Sequence, residues 1–259
     1  MVRRSLVLLG VLGLVAVPCM AADEVIRAGI DPFITHVQRS FTDLDVNPIP
    51  AGFFCPGSKA VTGKIYFRGV PLATEPAGVL GAADTIIQRL DDAVFDEKGI
   101  AHTRIQMRAL SMMSSKPIRT SCGSYNVFVS LAGEQKISPP HHMTIVRETE
   151  NGGYFLSEFT VKFRLSFVPV SGNGPVRELV RSTIFRGGSD HKWANQPGQG
   201  GISFAGAVKV DTNGDGRADT VLPGTSNFAM GWRVTEGPNG SLDYAAADFD
   251  SQASDCSHG

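Results

Sequence analysis

The chain has almost no excess charge of either sign: 24 Lys and Arg stand against 25 Asp and Glu, a formal net charge of −1 over 259 residues. That balance excludes the long-range positive field that would draw a protein onto nucleic acid. The basic residues are scattered, so no local patch restores such a field. Beyond the first twenty residues no apolar run approaches the roughly 20 residues that a helix needs to cross a bilayer, and no membrane span is expected. A Gly-x-Ser-x-Gly elbow, a His-Glu-x-x-His zinc motif and a Gly-x-x-x-x-Gly-Lys phosphate loop are all missing. The three reaction classes those motifs serve have no support here. Long helices are disfavoured too, because 29 glycines and 15 prolines punctuate the chain.

What is present begins with an export signal. Arg3 and Arg4 precede the apolar run Leu6 to Val17, which ends at Pro18-Cys19-Met20-Ala21-Ala22. This pattern predicts a secretory signal peptide over 1–21, cleaved after Ala21 or Ala22, and a secreted or periplasmic protein. Pro18 before Cys19 is a poor match to a lipoprotein signal. Three cysteines survive cleavage: Cys55, Cys122 and Cys256. In an oxidising compartment they imply one disulfide and one spare thiol. Cys55 and Cys122 both sit in turn-like contexts and are the expected pair. Cys256 is left free, intermolecular, or the alternative partner of either.

Residues Phe155 to Phe167 alternate cleanly, with Phe159, Val161, Phe163, Leu165 and Phe167 on one face and charged or polar residues on the other. Such a period of two marks a half-buried antiparallel strand. It recurs in Val61 to Phe67, Thr103 to Leu110, Tyr125 to Leu131, Met143 to Arg147, Val176 to Phe185 and Ala205 to Val210. Residues Val79 to Phe95 are the best helix candidate, but a loop and a strand around Thr85-Ile86-Ile87 explain their apolar positions equally well, so the segment is assigned no regular structure. The expected fold is all-β, with two β-sandwich-like domains over 45–135 and 136–244. They follow an N-terminal extension over 22–44, and a frayed tail follows over 245–259.

The most informative segment is Asp211-Thr-Asn213-Gly-Asp215-Gly216-Arg217-Ala-Asp219, which places oxygen-bearing side chains at alternate positions around a glycine bend. Calcium takes six to eight hard oxygens, and a loop of this kind supplies several of them. Strand-like residues flank it, and Leu222 stands where a helix-loop-helix hand would carry its bidentate Glu. The loop resembles those of thrombospondin type 3, dockerin and VCBS-type repeats. That resemblance makes Asp211, Asn213, Asp215 and Asp219 side-chain ligands, with the Arg217 carbonyl as a backbone ligand. A dockerin needs two such loops and a propeller several, whereas one is present. The plain alternative is a hairpin turn satisfied by Asn213-Gly214 and Asp215-Gly216.

Other candidates are His141 and His142, and the run Ser189-Asp190-His191. Sequential Ser-Asp-His does not form a triad, whose members meet through space. Adjacent histidines on a strand point to opposite faces and do not share one metal. Trp193, Trp232, Phe185, Phe204 and Phe228 offer either a platform for sugar rings or core. Asn239-Gly-Ser241 fits a glycosylation acceptor.

Asn47-Pro-Ile-Pro-Ala-Gly-Phe-Phe-Cys-Pro-Gly-Ser58, with Thr62-Gly-Lys-Ile65, Gly69-Val-Pro-Leu72, Ala83-Asp84-Thr-Ile86 and Gln88-Arg89, resembles a group of uncharacterised exported bacterial β-proteins. The resemblance implies an envelope or secreted β-protein and no activity. Taken together, these readings lead to an exported, non-catalytic binding or structural protein holding a glycan, matrix or envelope-protein partner. The alternative is a secreted hydrolase using His141, His142, Asp190 or His191.

Overall fold

In the computed structural model, residues 24–35, 40–133, 135, 141–149, 152–171, 174–187, 192–195, 206–224 and 227–230 are described, with the backbone of 233–236 and 242–245. The expected signal peptide over 1–21, Asp190, His191, Phe204, Trp232, Asn239 and Cys256 lie outside them. The described part is all-β. The first strands are β1 (Val25–Ile26), β2 (Gly29–Phe33), β3 (Phe41–Asp43), β4 (Lys64–Gly69), β5 (Thr74–Glu75), β6 (Thr85–Arg89) and β7 (Ala93–Val94). The central ones are β8 (Ile100–Ser114), β9 (Ile118–Thr120), β10 (Gly123–Leu131), β11 (His142–Thr149), β12 (Gly152–Pro169) and β13 (Arg177–Gly187). Then come β14 (Lys192–Ala194), β15 (Val208–Val210), β16 (Thr220–Leu222), β17 (Ala229–Met230), β18 (Arg233–Glu236) and β19 (Leu242–Ala245).

The main sheet runs β17-β14-β12-β10-β8-β4-β3, with β11, β13, β6, β2 and β9 pairing alongside. Its two longest strands organise it. β12 pairs with β11 and β14 near its start and with β10 and β13 further on. β8 pairs with β11, β6, β10 and β4 along its length. Strands on both sides of residues 133–140 therefore share one sheet. Gln135 carries the connection: its Oε1 accepts the Lys162 N–H at 2.8 Å and its Nε2 donates to the Lys162 carbonyl at 2.9 Å. The side-chain amide makes the two bonds that a backbone peptide would make in a ladder.

Alternation in β10 and β12 buries Tyr125, Val127, Val129 and Leu131 against Phe155, Phe159, Val161, Leu165 and Phe167. Phe54, from the proline-rich segment, packs on Tyr125 and Phe167 with ring centroids 4.8 and 5.3 Å away. Cys55 and Cys122 form a disulfide with Cα atoms 6.1 Å apart, which staples that segment to the sheet beside its aromatic anchor.

A second, smaller core lies on the opposite face of the β6–β8 pair. The β6–β8 register pairs Ile86 with Ala109 but Ile87 with Met107, so Arg108 is an extra residue in β8. A bulge reverses which residues face which side. Met107 accordingly packs in the main core, while Ala109 joins Ile30, Leu72, Leu80, Ala83, Ile86, Val208, Val210 and Leu222 in the second. The β15–β16 hairpin covers this face, with β15 pairing to β5.

Among the described residues one ion pair lies wholly inside. Arg89 is fully buried, its Nε 3.0 Å from Asp31 Oδ2, and its Nη1 donates to the Arg27 carbonyl. Breaking a buried pair by removing one partner costs about 3–5 kcal/mol, because the other charge is stranded. Arg89→Met should therefore destabilise by about that much in urea unfolding, and Asp31→Leu/Arg89→Met by less than the sum of the two single changes. Strict additivity would refute the pairing. Cys55 and Cys122 are 67 residues apart. Reduction should remove about 4 kcal/mol on the chain-entropy account, and mass spectrometry after alkylation without reductant should leave both unlabelled.

Candidate functional site

The sequence-predicted calcium loop joins β15 to β16 on the outer face of the sheet. Val210 and Leu222 are buried at its base, and the Asp211 N–H donates to the Ala73 carbonyl at 2.9 Å. Asp211 itself is buried and turns its carboxylate into the loop: Oδ1 accepts the Asn213 and Gly214 N–H groups at 3.2 and 2.7 Å, and Oδ2 accepts Gly216 N–H at 2.8 Å. Gly214 and Gly216 have φ of 80° and 86°, a left-handed conformation that glycine adopts without a Cβ penalty. Asn213 Oδ1 accepts Asp215 N–H, and Asp215 Oδ1 accepts Arg217 N–H at 2.8 Å. Asp219 Oδ1 accepts the Thr220 hydroxyl, and the Arg217 carbonyl accepts Asp219 N–H.

The five expected ligands thus share one closed loop. Among the described residues no three His, Cys, Asp or Glu side chains converge as a metal-holding group. The loop's donors are of a different kind, mixing carboxylate, amide and backbone oxygens. Asp211 Oδ2, Asn213 Oδ1 and both Asp215 oxygens each accept a single hydrogen bond. An sp² oxygen has two lone pairs, so each of these keeps one for a cation. The loop also reaches the main sheet, where a Cβ on Gly214 would lie 3.4 Å from Ser130 Cβ of β10.

The histidines do not assemble a site among the described residues. His141 is buried at the start of β11, where its carbonyl accepts the Ile105 N–H and its Nδ1 has no hydrogen-bond partner. His142 is exposed on the opposite side, as alternation requires. Burial pushes the His141 imidazole below the usual histidine range.

Of the aromatic residues considered as a platform, Trp193 and Phe228 are core. Trp193 is 1% exposed and lies between Phe95 and Phe228 in near-parallel stacks, with centroids 5.9 and 5.3 Å away. Its Nε1 donates to the Val146 carbonyl at 3.1 Å. Arg147 caps this stack over Phe95, with Cζ 3.8 Å from the ring centroid, and Arg89 caps it over Phe228 at 4.6 Å. Phe185 is partly exposed on β13 and stacks on Phe159.

Three buried charges were not singled out from the sequence: Asp31, Arg89 and Asp84. Asp84 is fully buried, accepts the Thr35 N–H and hydroxyl and the Thr85 hydroxyl, and is pushed above the usual carboxylate range by desolvation. A Cβ on Gly69 would sit 1.8 Å from Asp84 Oδ2, so only glycine admits this carboxylate. The available signal was a charge inside an apolar strand run, as in Gly-Ile-Asp31-Pro-Phe and Thr-Ile-Ile-Gln-Arg89. The chain matches no protein-family model, no curated protein and no solved structure. Among the described residues no helix is long and apolar enough to cross a membrane.

His141 gives a pH prediction. Its folded pKa lies below the unfolded value near 6.5, so in the window just below that value the unfolded chain binds more protons. Its contribution to stability is therefore present above the unfolded pKa and is lost as pH falls toward the folded one. Denaturant midpoints should decline from about pH 7 to about 5, and His141→Phe should flatten that decline while His142→Gln leaves it intact. An unchanged slope in His141→Phe would show that other groups set it.

Proposed function

We propose that this is an exported, non-catalytic binding or structural protein of the bacterial envelope or extracellular space, in which calcium braces the β15–β16 hairpin. One observation carries the calcium reading: an inward-turned Asp211 closes a loop whose Asn213 and Asp215 oxygens retain acceptor capacity, with Asp219 and the Arg217 carbonyl in the same turn. The ion would be held by Asp211, Asn213, Asp215, Asp219 and the Arg217 carbonyl. It would supply charge neutralisation for three neighbouring carboxylates and no bond-making chemistry. Export is supported by the leader-like N-terminus, by the Cys55–Cys122 disulfide and by the resemblance of residues 47–58 to exported bacterial β-proteins. A role in holding a glycan, matrix or envelope-protein partner follows from that setting.

The test is thermal unfolding of the purified protein in chelator and with calcium titrated back. A ligand at 100 times its Kd stabilises by about 2.7 kcal/mol, which for a chain of this size raises Tm by roughly 5–10 °C. Wild type should show this rise and Asp215→Ala should not. Identical melting of wild type with and without calcium would reduce the loop to a turn.

A further inference from the structure

β13 is a long edge strand with an unusual sequence symmetry. It pairs with β12 from Phe167↔Arg177 to Ser157↔Gly187, and among the described residues its other edge has no strand partner. Val180 and Ile184 are each 46% exposed on the outer face, and Phe185 is 41% exposed although it stacks inward on Phe159. An open, apolar edge of this length templates the pairing of another strand.

We propose that β13 pairs antiparallel with β13 of a second copy of this chain, about a two-fold axis through Ser182, forming one continuous sheet across an isologous dimer. That register sets Val180 opposite Ile184 on the outer face and Leu179 opposite Phe185 on the inner face. It also sets Glu178 opposite Arg186 and Arg181 opposite Thr183. Apolar residues meet apolar ones, and acid meets base, twice each by symmetry. Neighbouring registers that keep the faces aligned lose this match. An axis at Arg181 places that residue against its own copy and Glu178 against Ile184, whereas an axis at Thr183 places Val180 against Arg186 and Arg181 against Phe185. The match is therefore specific to Ser182, and the face-preserving requirement follows from the strand's period of two. Glu178 can turn to it, since its own side chain is about half exposed and its present contacts, the half-buried Arg164 and the Ser166 hydroxyl, are both long at 3.5 Å.

Sedimentation equilibrium of the purified chain, from micromolar to sub-millimolar concentration, should give a reversible monomer–dimer equilibrium. Ile184→Lys should raise the dimer Kd by about tenfold or more, because each substitution alters two symmetric pairs. Glu178→Arg should also weaken the dimer, and adding Arg186→Glu should restore it, an outcome that loss of folding would not produce. Ser182→Cys on a Cys256→Ser background should form an intermolecular disulfide on mild oxidation, since the axis places residue 182 opposite itself. The proposal is overturned by a monomer at every concentration, which would assign the edge to another segment of this chain or to a different partner. A dimer that survives Ile184→Lys, or one that Ser182→Cys fails to cross-link, overturns it equally. None of these readouts depends on calcium, so this proposal and the calcium reading fail separately.

Discussion

The burial of Arg89 is the constraint around which the rest of the structure is arranged. A guanidinium does not give up its proton inside a protein, and taking an ion out of water costs several kcal/mol. Here the charge is met by Asp31 from β2, by the Arg27 carbonyl and by the Phe228 ring. Phe228 is the first layer of a stack that continues through Trp193 and Phe95 to Arg147. Its members come from β6, β11, β14 and the segments beside β7 and β17. The N-terminal strands, the middle of the sheet and residues 227–228 must all be in place before Arg89 is neutralised. Asn227 adds to the same clasp, accepting the Arg27 N–H at 3.0 Å and donating to the Val25 carbonyl at 2.7 Å. The arrangement couples segments 200 residues apart in sequence, which favours unfolding as one unit over loss of either end alone.

The bulge at Arg108 is the second device, and it explains how one sheet serves two cores. Without the extra residue, the Met107 and Ala109 side chains would face the same side. With it, β8 contributes Met107 to the main core and Ala109 to the small cluster beneath the β15–β16 hairpin. That hairpin is therefore packed onto the sheet rather than projecting from it. A cation in the 211–219 loop would act on a packed element whose base, Val210 and Leu222, is already buried, and this is why bracing is the role that the geometry favours over switching.

The all-β class, the faces of β10 and β12 and the cysteine pairing were legible in the sequence because each depends on local periodicity or on turn chemistry. Phe159 to Phe167 announces its burial through alternation alone. The bulge was not legible, since a single residue such as Arg108 looks like ordinary strand polarity until a partner's register is known. Asp31 and Arg89 were not legible as a pair, because a buried ion pair is visible only when both partners are placed. Gln135 was not legible as part of the sheet, because sequence patterns register backbone ladders and this residue bonds Lys162 of β12 through its side-chain amide. Trp193 stood among polar neighbours, Lys192 and Asn195, yet β14 turns it inward. The loop of residues 211–219 was located from its oxygen spacing, whereas its docking against Ser130 follows from tertiary structure alone.

Two of the sheet's edge strands, β3 and β13, pose different physical problems. At one end β3 is only three residues long, and a short edge offers little to a foreign strand. β13 presents eleven residues and carries apolar side chains on both faces. Arg177, Arg181 and Arg186 act as partial gatekeepers, because their charge opposes pairing in most registers. A two-fold axis at Ser182 sets Arg186 against Glu178, keeps Arg181 from facing its own copy directly, and consumes both open edges at once. A head-to-tail pairing would instead leave a fresh edge at each step and propagate. The charges on β13 therefore discriminate between registers, disfavouring open-ended addition while leaving one closed, self-complementary pairing.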